Sequence, residues 1–162
     1  MAILFQKMTL TVLAFVWALG CSQVKTDNSD NIEALTAHLV KLDRTIKVTP
    51  MIDAFAGLIQ DPEQKKKMID EAGEGYARMN IKNIYLVTGA TAETNETVIG
   101  SLIHFKDDLT LDQAKALLAK DENYKKQDLD MVMNGHFAFA VSTINGKTVT
   151  PKSVLAAFKD FK

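Results

Sequence analysis

The stretch Thr97–Phe105 (TVIGSLIHF) constrains this chain most, because it is apolar on both sides of any strand it forms. Strict alternation puts Ile99, Ser101, Ile103 and Phe105 on one face, and Val98, Gly100, Leu102 and His104 on the other. A strand of that kind belongs in the middle of a sheet or under a second layer. Asn83–Thr88 (NIYLVT) precedes it across the small, polar Gly89–Glu96 (GATAETNE), and the pair reads as an antiparallel hairpin with a loose loop. His136–Thr143 (HFAFAVST) is a third β region, bounded by the turn dipeptides Asn134-Gly135 and Asn145-Gly146. Asp130–Asn134 reads as a short strand before it.

The prolines punctuate the rest. Thr49-Pro50, Asp61-Pro62 and Thr150-Pro151 each set proline behind a side chain able to accept a backbone N–H, the arrangement of a helix start. Thr110 with Gln113 marks a fourth start through a capping box. Apolar stripes follow at helical spacing: Ile52, Phe55, Ala56 and Ile59; then Met68, Ile69, Ala72, Tyr76 and Met79; then Ala114, Leu117 and Leu118; then Val154, Leu155, Phe158 and Phe161. Gly73 and Gly75 weaken the second helix near its end.

Asn31–Ile46 admits two readings. Ile32, Leu35, Leu39, Leu42 and Ile46 fit a helix opened by an Asp30/Glu33 capping box, whereas His38–Leu42 alone could be a strand. The helix is the preferred reading. The strand would give the ferredoxin-like order β-α-β-β-α-β plus a C-terminal helix. The expected class is α+β, an antiparallel or mixed sheet with helices packed on one face.

Chemical signatures are sparse. His38, His104 and His136 form no H-x-H or H-E-x-x-H pattern, so no zinc signature is present. Asp107, Asp108 and Asp112 lack the spacing and turn glycine of an EF-hand and suit the start of a helix. Gly100-Ser101 lacks the second glycine of a nucleophile elbow and lies within a strand. No phosphate-binding glycine loop occurs, and no cofactor is implied. His104, Asp107 and His136 are the polar-site candidates, and an acid–base site would require them to converge in one pocket. Taken by itself, His104 reads as a half-buried strand histidine bonded to a neighbour.

The N-terminus gives an address. Met8–Leu19 (MTLTVLAFVWAL) is apolar and preceded by Lys7, too short for the ~20 residues of a membrane-spanning helix but long enough for a secretory signal. The chain's single cysteine, Cys21, closes the sequence Ala18-Leu19-Gly20-Cys21. A lone thiol in an oxidising compartment has no internal partner. Small–Leu–Gly–Cys resembles the lipobox of bacterial lipoproteins, a likeness confined to residues 1–21. The resemblance implies cleavage before Cys21, a diacylglycerol on its sulfur and acylation of its freed amine. Two or three acyl chains, at about 0.8 kcal/mol per buried methylene, hold a protein on a bilayer stably. By the same resemblance Ser22, where inner-membrane retention takes Asp, implies the outer membrane.

The organisation expected is therefore a signal peptide over 1–20, a flexible polar tether over 21–31 and a single α+β domain over 32–162. The chain carries 19 Lys+Arg and 20 Asp+Glu, and removing residues 1–20, whose one charged side chain is Lys7, leaves 18 against 20. That balance lacks the basic surplus that phosphate binding requires, so nucleic acid is disfavoured. Lys65–Lys67 and the mixed charges of Lys120–Asp130 read as solvated surface. The function expected is a non-enzymatic envelope module that binds or bridges a partner, with the sheet edge and the Gly89–Glu96 loop as contact regions. The alternatives are a small periplasmic hydrolase-like enzyme using His104 or His136, and a secreted protein without lipid.

Overall fold

The computed structural model describes residues 28–90, 97–125 and 129–162. The signal segment, Cys21 and the Thr91–Glu96 part of the loop lie outside the described residues.

The chain is α+β. In order, α1 (Ile32–Leu42), β1 (Lys47–Pro50), α2 (Met51–Ala56) and α3 (Pro62–Arg78) lead to the long strands β2 (Ile81–Gly89) and β3 (Thr97–Phe105). Then come α4 (Leu111–Leu118), α5 (Glu122–Lys125), β4 (Met131–Asn134), β5 (Phe137–Val141), the small hairpin β6 (Thr143–Ile144) and β7 (Lys147–Thr148), and α6 (Lys152–Asp160). The main sheet runs β1-β2-β3-β5-β4, and every neighbouring pair is antiparallel. β3 lies at its centre, as its two apolar faces require.

Those faces also decide where the helices go. They cover both sides of the sheet, rather than the one side expected. On one face α1 and α6 pack Leu35, Leu39, Val154 and Phe158 onto Val87, Leu102, Phe137 and Phe139. On the other, α3, α4 and Met51 cover Ile81, Ile84, Ile103, Phe105 and Ala138. His38–Leu42 is helical, so the strand on which the ferredoxin-like order depended is absent there. The first strand is Lys47–Pro50, and it pairs with β2 at the sheet edge.

Two bulges break the alternation. Val87 pairs with Gly100 and Thr88 with Val98, which leaves Ile99 as an extra residue in β3. Ile99 therefore joins Leu102 in the α1/α6 core, away from Ile103 and Phe105, whose face strict alternation assigned to it. Gly100 follows, and the Phe139 ring lies where its side chain would stand. The second bulge leaves Lys82 extra between Ile81, opposite Phe105, and Asn83, opposite His104.

The prolines mark helix starts, but the caps differ. Asp61 accepts from the N–H groups of Glu63 and Gln64, with Pro62 at the first helical position. Thr110 and Gln113 form the capping box. Pro50 and Pro151 are themselves the boundary residues, with no side-chain cap. Thr150 is spent elsewhere. It is buried, accepts from Ser142 N–H and donates to the Ile99 carbonyl, fastening β3 to the segment after β5.

Candidate functional site

The site begins one residue before α1. The helix cap is Asn31, whose Oδ1 accepts from Ala34 N–H at 2.9 Å, rather than Asp30. This shift frees the Asp30 carboxylate. The backbone around it is held by three hydrogen bonds: Asn31 N–H to the Asn28 carbonyl, His136 N–H to the Ser29 carbonyl, and Asn28 Nδ2 to the Lys162 carbonyl. The end of the predicted tether is thus docked against the β4–β5 turn and the C-terminus. Gly135 makes the approach possible: its φ is +56°, and a Cβ there would press on Ser29 at 2.9 Å.

Three strand-borne groups meet Asp30. His104 Nε2 lies 2.5 Å from Oδ1, and Lys82 Nζ lies 2.6 Å from the same oxygen. His136 Nδ1 stands 3.8 Å from Oδ1, buried and without a hydrogen-bond partner among the described residues. Each is placed by the sheet. His104 sits opposite Phe137 across β3 and β5, their rings 4.4 Å apart and tilted by 34°. Lys82 is the extra residue of the β2 bulge, which re-aims it. His136 ends the turn after β4.

The electrostatics follow from burial. The His104 side chain is 7% exposed, whereas those of Asp30 and Lys82 are 44% and 37% exposed. Lys82 and then His104, through hydrogen bonds to the carboxylate, hold Asp30 down at about 2. Burial pushes the His104 imidazole below its ordinary value, and the Asp30 contact only partly offsets this. A carboxylate only accepts, so the Nε2 of His104 carries the proton and a neutral ring presents its lone pair at Nδ1. Asp30 is a poor base, since Lys82 already neutralises it.

The two histidines converge, as an acid–base site would require, but on an acid from outside the expected set. Asp107 lies apart from that carboxylate, accepting from Asn80 Nδ2 at 2.7 Å. His38 serves packing, its Nε2 donating to the Ala157 carbonyl at 3.0 Å and so linking α1 to α6. Asp30 and Lys82 were hidden in the sequence: one read as a helix cap, and the other lies in a bulge that alternation cannot reveal. The contact between Asp30 and His104 spans 74 positions and leaves no local periodic trace.

Among the described residues no group of three His, Cys, Asp or Glu is arranged to hold a metal ion. No described helix is long and apolar enough to cross a membrane. Compared with family profiles, curated proteins and solved structures, the chain matches none.

Proposed function

We propose that this chain is a membrane-anchored envelope lipoprotein whose folded part is a non-enzymatic binding or interaction module. The observation that carries the reading is the position of Cys21, the only cysteine, where the apolar Met8–Leu19 segment ends in Leu19-Gly20-Cys21. The polar residues that follow join a folded body through a fixed point, the Asn28–Asp30 dock on the β4–β5 turn. Lipid at Cys21 supplies location, and the dock gives the folded part a defined exit toward that lipid. The outer membrane is the proposed destination, on the resemblance-based ground of Ser22.

The Asp30–His104 contact favours a second reading, a small periplasmic enzyme. Such a pair is the orienting half of many acid–base sites. Here the carboxylate is also shared with Lys82, and His104 is almost wholly enclosed, which supports a structural latch instead.

Labelled palmitate should enter the wild-type chain and not Cys21→Ser, and the variant should leave the membrane fraction. Cross-linking in intact envelopes should then recover a specific partner with the wild-type protein. Equal labelling and fractionation of the two chains would defeat the anchor, and hydrolytic turnover abolished by His104→Gln would favour the enzyme.

A further inference from the structure

The second face of the sheet has a hollow that the described residues leave unfilled. β5 alternates Phe137, Ala138, Phe139 and Ala140, so its bulk goes to the α1/α6 side and only methyl groups reach the other. Ser101, directly opposite Ala140, adds a second small side chain to that floor. The result is a trough of about 370 Å³ floored by Ile84, Ser101, Ile103 and Ala140 and walled by Met51, Tyr124 and Leu129. An apolar cavity of about 150 Å³ suffices for benzene, so this one has room for a two-ring molecule.

Its lining is selective. No charged side chain among the described residues lines it, so an ion entering would lose hydration without a partner there. Asp121 stands close enough to Tyr124 to raise that phenol further, after burial has done so. Lys115 and Lys125 line the small adjoining hollow behind Tyr124 and Leu129, which disfavours a cation. The hydroxyls of Ser101 and Tyr124 make no hydrogen bond to another described residue, leaving two polar groups open to a ligand.

We infer that the trough between Met51, Tyr124 and the β3–β5 floor binds an uncharged, mainly apolar small molecule carrying a hydrogen-bonding group. This deepens the binding half of the proposed function and rests on it. A ligand titration is blind to lipid at Cys21, so the two ideas fail separately.

The full chain is titrated with 1-naphthol, 1-naphthoate and naphthalene while the methyl resonances of Met51, Ile84, Ile103 and Ala140 are followed. Saturable shifts at those methyls with 1-naphthol are expected, with 1-naphthoate at least about tenfold weaker. Ser101→Ala should weaken 1-naphthol severalfold and leave naphthalene unchanged. Ala140→Leu should abolish binding of both by filling the floor. Should that variant not fold, Ser101→Leu, at a half-buried position, makes the same test. Shifts confined to other regions, equal binding of 1-naphthoate, or undiminished binding to a folded, filled variant would overturn the inference.

Discussion

Asp30 links chemistry to stability at the scale of a single residue. Its carboxyl sits at about 2 in the fold against 3.8 in an unperturbed chain, and His104 sits below its ordinary 6.5. As pH falls through 6.5, the unfolded chain takes up a proton at His104 that the fold resists, so stability declines. Between about 3.8 and 2 the unfolded chain protonates Asp30 first, and stability declines again. Urea unfolding should therefore weaken from pH 7 to pH 5, with His104→Gln flattening that limb. Asp30→Asn should shrink the acidic limb, leaving the share of Asp43, which Thr45 also holds low, and cost about 1 kcal/mol at pH 7, the upper range for a pair so open to solvent. A pH-independent midpoint from 7 to 3 would refute this account of the latch. His104 was legible as a strand histidine bonded to a neighbour, although it is buried where half-burial was expected. Its partner was not, because Asp30 carries the same letters as a helix cap and meets His104 only through the tertiary fold.

Elements rise or fall here on small side chains and single hydroxyls. Gly100 lies under the Phe139 ring, so Gly100→Ala would force the ring or strand aside and should destabilise by about 1–3 kcal/mol. Thr150→Val keeps the shape but strands the Ser142 N–H and the Ile99 carbonyl, and should cost a similar ~1–3 kcal/mol. Equilibrium denaturation checks both, and a loss under about 0.5 kcal/mol in either would contradict the packing described. The strands and most helix starts were readable from apolar period, proline and capping boxes, since these are local signals. Asn145-Gly146 likewise forms the turn of β6 and β7, with φ of 50° and 74°. Bulges were not readable: one extra residue flips Ile99 to the opposite core without altering composition. The two-sided apolarity of β3 did place it in the middle of the sheet, although one face was expected to carry all the helices. Phe55, expected on the buried stripe, remains 50% exposed, and the helix that carries it ends at Ala56, short of Ile59.

At the scale of the whole molecule, one end gathers the C-terminus, the β4–β5 turn and the docked entry to α1. Asn134 strengthens that end by donating from Nδ2 to the carbonyls of Phe158 and Phe161, which α6 leaves open. A leash leaving there would present the same end of the protein toward its anchor, with the trough on a face of the sheet. On the proposed reading, the sequence motif at residue 21 and the body docked through Asn28–Asp30 would be parts of one account, with location from lipid and recognition from the fold. Intact-mass analysis of the chain extracted from envelopes tests it most directly. The prediction is a species beginning at Cys21, heavier than its polypeptide by a diacylglycerol and at least one further acyl group. A chain with an unmodified Cys21 thiol would contradict it.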